Sequence, residues 1–434
     1  MQMLRNKVHI PSDVDTTTTL VLEEIIQLFD TLQDGHIKIT LGAEDFKYYW
    51  QRVHEKTSSS ISGIHFGHYK TATYSETLTD FFARKITMIA RCGCPPERWG
   101  HGLQVLLEKI VGVALVTKLR AILLMEGDFN YMNRWIFGKE AINKLYKMGY
   151  VPGDQYSQKE STAKDARLDN RLTMDLSRQM KHPLATMSAN AKKCYDQINH
   201  IVMSLLLLAI VGSIGSVVAM LFPIQTMNFF QRTARGDSTT FMGGRGKDNP
   251  LQGLCQGNGA GPACWLMLSS VLMHCYKQQG FGLQIISPIS GTIIDFLGER
   301  DVDDTDLIIT RPEFTTAQET QEGLQDAAWA WASGLNATGG AINPKKSRWI
   351  YAGYEWMNKN WVYAKQPNLP MKIPLPDGLP ATISQAEVST AEKTLGVWST
   401  IDGDDTEHLS KNVTGRFMKW TSKMTNGHLP ARLG

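Results

Sequence analysis

"GERDVDDTDLII" runs from Gly298 to Ile309 and holds five carboxylates in twelve residues: Glu299, Asp301, Asp303, Asp304 and Asp306. Only Arg300 opposes them within the stretch. Adjacent like charges repel, so packing them against the apolar run Leu307-Ile308-Ile309 calls for a compensating partner. A divalent cation is one, because it takes hard oxygen ligands. An acidic surface turn at a strand end is the plainer alternative. The stretch alone leaves both open, and the rest of the chain has to supply what a metal site would need.

At 434 residues the chain has room for two or three domains, or for one domain with large subdomains. With 42% hydrophobic and 20% charged residues it reads as a folded globular protein. A formal net charge of +3 neither demands nor excludes nucleic acid. The six cysteines form no C-x-x-C pair, so a structural zinc site is not expected. The opening "MQMLRNKVHIPSD" has no apolar signal-peptide core, which points to the cytoplasm or nucleus rather than to secretion. Residues 201–223, "IVMSLLLLAIVGSIGSVVAMLFP", carry no charge and are long enough to span a bilayer. Gly212 and Gly215 interrupt them and neither flank is strongly basic, so the expectation is a buried core helix and no membrane partner.

Along the chain, residues 1–50 pattern as helix, with a threonine-rich start at "TTTTLVLEEIIQLFDTL". "EKTSSSISGIHFGHYK" (55–70) is too rich in Ser and Gly for a regular helix throughout and reads as an ordered loop or linker. Residues 75–147 are helix-rich around a short strand at 119–125. Residues 182–198 read as a strand turning into a helix near Ala191. Residues 243–276 are a Gly-rich loop feeding an apolar helix, and 282–311 are β-hairpins. An amphipathic helix closed by glycines follows at 316–340, then antiparallel strands at 345–364. The acidic box thus lies in a hairpin of an α+β chain.

Several of these segments together resemble, in order, the motifs of a reverse transcriptase of the non-long-terminal-repeat retrotransposon type. "LEKIVGVALVTKLRAILL" (107–124) is similar to the fingers segment, "NAKKCYDQI" (190–198) to motif A and "CQGNGAGP" (255–262) to motif B. "DVDDTDL" (301–307) resembles motif C, "INPKKS" (342–347) motif D and "TLGV" (394–397) motif E. The resemblance covers roughly residues 55–400. It implies a right-hand polymerase: a helical extension at 1–54, fingers at 55–180, a palm with an antiparallel sheet at 181–364, and motif E with the start of a thumb at 365–434. The apolar run 201–223 would pack on the back of the palm sheet.

The implied activity is RNA-directed DNA polymerisation, with an RNA template, a DNA primer and deoxynucleoside triphosphates as partners. Two Mg²⁺ ions would sit roughly 3.5–4 Å apart. By the same resemblance Asp303 and Asp304 would be metal ligands, joined by position 190. Arg120 and Lys109 would contact the triphosphate, Tyr195 would lie under the sugar, and Gln256 and Gly257 would shape the nucleotide pocket. Lys346 would donate a proton to pyrophosphate, and Leu395 and Gly396 would belong to the primer grip.

Two departures stand out. Position 190 is Asn where motif A has Asp, and position 301 is Asp where motif C has an aromatic residue. An amide offers a carbonyl oxygen but no charge, and it cannot bridge two cations as a carboxylate does. Asp301 is too far along its strand to replace a ligand at 303: two residues span roughly 6.6 Å at about 3.3 Å each. Asp196, expected on the helix after Tyr195, is no substitute. The expectation is therefore an impaired polymerase. The alternatives are a non-catalytic nucleic-acid-binding protein or a decayed retroelement remnant.

Overall fold

A computed structural model describes residue 4 and residues 10–32, 36–55, 60–113, 115, 118–243, 251–287, 289–301, 304–365, 369–394, 397–404, 406–425 and 427. Along the chain the helices are α1 (Thr16–Leu32), α2 (Ala43–Arg52), α3 (Phe66–Ala72) and α4 (Glu76–Cys92). Strands β1 (His101–Glu108) and β2 (Leu119–Leu124) lead into α5 (Gly127–Asn133), which runs through a wide helical turn, Arg134–Ala141, into α6 (Ile142–Lys147). Then come α7 (Ala163–Met180), β3 (Leu184–Asn190), α8 (His200–Val211), α9 (Ile214–Gln225), β4 (Asn228–Thr233), β5 (Gly236–Gly243) and α10 (Gly261–Gln278). Two hairpins follow, β6 (Leu283–Ile286) with β7 (Ile293–Phe296) and β8 (Gly298–Asp301) with β9 (Asp304–Ile309), and after them α11 (Ala317–Ala337). The rest is β10 (Arg348–Ala352), β11 (Tyr354–Met357), β12 (Asn360–Tyr363), β13 (Met371–Pro374), β14 (Pro380–Gln385), β15 (Glu392–Thr394), β16 (Val397–Ser399), a short helical turn Thr406–His408, a wide helical turn Leu409–Thr414 and, continuous with it, α12 (Gly415–Thr425). The fold is α+β, built on mixed sheets.

The chain divides into two compact units: Met1–Gly153 with Ala191–Gln279 and Ala330–Ala341, and Asp154–Asn190 with Gly280–Trp329 and Ile342–Gly434. The first holds most of the helices and a four-stranded sheet of order β2-β1-β4-β5, in which β1 and β4 are parallel. The second holds a six-stranded sheet of order β13-β14-β10-β3-β9-β8. An all-antiparallel sheet was expected there, and every pair is antiparallel except β10 with β14.

Local chemistry sets the helix ends. Asp15 caps α1, accepting from Thr18 N at 2.9 Å, so the signal lies one residue before the threonine run. Ser75 caps α4, and Gly93 ends it in the left-handed conformation. Thr162 and Asp165 form a reciprocal capping box at the start of α7.

The apolar run 201–223 forms two helices, not one. Gly212 (φ 73°) stops α8, and Ser213 caps α9 by accepting from Ser216 N. A Cβ on Gly215 would lie 2.0 Å from the carbonyl oxygen of Arg91, so α9 crosses the end of α4 at glycine distance. Both helices lie in the first unit, α8 against α1 and α9 against α4. Among the described residues no helix is long and apolar enough to cross a membrane.

In the second unit α7 covers one face of the six-stranded sheet. Met174 meets Leu184, Ile308, Ile350 and Ala352 there, with Leu283, Ile285 and Ile401 closing the cluster. Alternation along a strand puts Leu184, Thr186, Ser188 and Asn190 of β3 on one face. The register pairs Asn190 with Asp304, Ser188 with Asp306 and Thr186 with Ile308. The apolar end of that face makes the core, and its polar end carries the candidate site.

Candidate active site

The second unit brings Asn190 and Asp304 together. They are directly opposed on β3 and β9, and Asn190 Nδ2 donates to Asp304 Oδ1 at 2.8 Å. Both are half-buried. The segment 342–347 is tied to the backbone of Asn190. Asn343 N donates to Asn190 O at 2.8 Å, and Asn190 N donates to Ser347 Oγ at 3.2 Å. Lys346, like Lys345 before it, is exposed in the turn between those two anchors. Ser347 is thus a supporting residue that the motifs did not single out, since a lone serine after a Lys-Lys pair carries no pattern. Asp303, Leu395 and Gly396 lie outside the described residues, as does the side chain of Asp301. The backbone register sets Asp301 opposite Asp304 across the hairpin.

The amide decides what the described atoms can bind. Asn190 presents its NH₂ to the Asp304 oxygen, where a cation would need a second oxygen. Among the described residues no three His, Cys, Asp or Glu side chains are grouped to hold an ion. Of the three expected ligands the described residues hold two, Asn190 and Asp304, and they bring one carboxylate.

Behind this pair lies a buried charge cluster. Glu299 is opposite Asp306 across the hairpin, and the two residues are 2% and 4% exposed. Burial, reinforced by Asp306, pushes the Glu299 carboxyl up to about 9, against the pull of Arg167. Arg167 Nη1 lies 3.6 Å from Asp306 Oδ2, and Asn170 Nδ2 lies 3.5 Å from the same oxygen.

The first unit gathers the residues assigned to the nucleotide. Arg120 is exposed on β2, opposite Leu107. Lys109 sits at the base of the β1–β2 hairpin, its N–H bonded to Lys118 O at 3.1 Å. The Gly-rich turn docks on the same strand: Leu123 N donates to Gln256 O at 2.7 Å. Asn130 of α5 clamps that turn, donating to Gly257 O at 3.1 Å and accepting from Gly259 N at 2.9 Å. Asn133 donates to Asn258 Oδ1 at 3.1 Å beside it. Neither asparagine of α5 was visible as a motif in sequence.

Tyr195 is half-buried, and its backbone carbonyl accepts from Leu254 N at 2.7 Å. The helix expected from Ala191 does not form there. Residues 192–196 are turns, Lys193 takes φ 51°, and α8 starts only at His200 under an Asn199 cap. Asp196 is therefore a turn residue, not a helical one. Partial desolvation holds its carboxyl above the usual range, against the pull of Lys193 and Lys109.

Gly257 is where this turn cannot change. Its φ is +118°, and a Cβ there would lie 2.1 Å from Leu123 O. Gly257→Ala should cost about 1–3 kcal/mol from backbone strain, and more from the clash. Urea unfolding checks this; a stability change under about 0.5 kcal/mol, the range of neutral surface changes, would refute the docking described.

No protein-family model matches the chain, and no curated protein sequence matches it.

Proposed function

We propose that the chain is the reverse-transcriptase portion of a non-long-terminal-repeat retroelement, a right-hand RNA-directed DNA polymerase impaired at position 190. The observation that carries this reading is the pairing of Asn190 with Asp304. Two residues 114 apart in sequence, drawn from the segments that resemble motifs A and C, share one hydrogen bond on neighbouring strands. Motif D supports it by bonding to Asn190 through Asn343 and Ser347. In the first unit, the docking of the motif B turn on the strand that carries Arg120 supports a triphosphate-binding role. The natural partners are an RNA template, a DNA primer and deoxynucleoside triphosphates, met in cytoplasm or nucleus.

In polymerases of this class two Mg²⁺ ions stabilise the charge that develops on the transferring phosphate. Here the third carboxylate is an amide already satisfied by Asp304. That favours, as a second reading, a protein that binds nucleic acid and has lost the chemistry. Primer extension titrated with Mg²⁺ separates the two: binding of a primer–template without extension belongs to the second reading, and weak extension to the first.

The C-terminal segment should contribute to binding. Residues 411–434 hold five basic residues, Lys411, Arg416, Lys419, Lys423 and Arg432, and no acidic one, and residues 415–425 form helix α12 with no buried residue. Phe417 and Trp420 lie together, ring centroids 6.1 Å apart, and Arg416, Lys419 and Lys423 are exposed. Deleting residues 411–434 should weaken RNA–DNA duplex binding and flatten the slope of log affinity against log salt by roughly 2, if two or three phosphates are contacted. An unchanged slope would remove this helix from the interface.

A further inference from the structure

We infer that Arg167, Arg171 and Arg178 of α7 are positioning residues that fix where the 399–403 segment lies against the strand carrying Asp304. The functional meaning of that placement rests on the proposed function, since β15–β16 is the hairpin of the candidate primer grip.

Arg167 is 10% exposed and reaches both sides of the seam. One guanidinium nitrogen lies 3.6 Å from Asp306 on β9, and another donates to Ser399 Oγ at the end of β16. Arg171 donates to Gly403 O and Arg178 to Asp402 O, each at 3.0 Å. Positions i, i+4 and i+11 share one side of a helix, so a single edge of α7 makes all three ties. Asp175 on that edge pairs with Arg178 and lies 3.9 Å from Arg171.

The segment is shaped to receive them. Gly403 has φ +82°, and a Cβ there would sit 2.6 Å from Arg178 Nη1 and 3.1 Å from Arg171 Nη2. The N–H groups of Ile401 and Asp402 go to Val388 O, while the carbonyls of Asp402 and Gly403 go to the arginines. Ile401 anchors the segment in the apolar cluster, and the arginine ties flank it on either side. A cavity of about 40 Å³ remains, lined among others by Arg167, Asp306, Arg348 and Ser399. That is room for water beside the ties, so the arginines fix the polar side of the segment while Ile401 fixes its apolar side.

The test uses the full chain with Arg171→Lys/Arg178→Lys, which keeps both charges and loses the planar fork. Hydrogen exchange over residues 397–404 should speed up by at least about tenfold, with residues 184–190 unchanged. On an Asn190→Asp background the KM for primer–template should rise at least about threefold, with kcat within roughly twofold. Gly403→Ala, which keeps every arginine in the sequence but puts a Cβ 2.6 Å from Arg178 Nη1 and so displaces that tie, should give the same pattern. Unchanged exchange in 397–404, or equal acceleration in 184–190, overturns the positioning role. So does faster exchange with an unmoved KM. If no variant, Asn190→Asp included, binds primer–template, the proposed function fails, and the exchange data alone still decide whether the arginines fix this segment.

Discussion

Asn190→Asp should raise Mg²⁺-dependent primer extension by at least about 10²–10³, or create it where the parent has none, because losing one well-placed electrostatic stabiliser costs about that much. The substitution is nearly isosteric. It replaces the amide that donates to Asp304 at 2.8 Å with a second carboxylate facing the first. Two carboxylates at that separation repel unless a proton or a cation lies between them. The variant should therefore be less stable than the parent without divalent ions, and it should regain stability on adding Mg²⁺ as the parent does not. Asp303→Ala on top of Asn190→Asp should abolish the gain in extension. Asp301→Tyr on the repaired background should add little, since position 301 lies two residues, roughly 6.6 Å, along the chain from position 303. If the repaired protein binds duplex and Mg²⁺ yet extends nothing, the loss lies beyond position 190.

Glu299→Gln should stabilise the protein at alkaline pH and leave it unchanged near pH 4–5. The Glu299 carboxyl is held near 9 in the folded chain against an ordinary value near 4.5. Between those values the folded state holds a proton that the unfolded state has lost, so stability falls as pH rises through the window and levels off above about 9. Glutamine removes that slope. The gain should grow from nothing near pH 4.5 to at least about 1 kcal/mol by pH 8.5, roughly 1 °C or more in Tm for a chain of 434 residues. Parallel stability curves for parent and variant between pH 5 and 9 would mean that Glu299 is ionised when folded. The direction follows from the packing: Glu299 faces Asp306 on β9 and Asp169 nearby, with Arg167 the cation that opposes them.

How much of this was legible in sequence depended on how local each signal was. The hairpins at 283–309 and the helices α10 and α11 were readable because apolar period, glycine turns and β-branched residues agree within a few residues. The strand 184–190 was readable too, but its continuation was not. Lys193 in a left-handed conformation and bonds such as Lys192 N to Ala341 O keep 192–196 out of a helix, and both depend on distant chain. The break at Gly212 was marked by the glycine yet outweighed by the unbroken apolar run. Helix α12 was missed because its residues find no core to reveal a period. The candidate site divides the same way. Asn190 and Asp304 were found because ordered motifs carry them. Arg167 was not, because its tie to Ser399 spans 232 residues. Ser347 and Asn130 hold their neighbours through backbone atoms, which any sequence would offer.

The central claim is that Asn190 and Asp304 are what is left of a two-metal site. Its most direct test is a Mn²⁺ titration of parent and Asn190→Asp followed by electron paramagnetic resonance. Asn190→Asp should bind two ions with the spin coupling of a pair roughly 3.5–4 Å apart, while the parent shows no coupled pair. An Asn190→Asp protein that titrates like the parent would contradict the account.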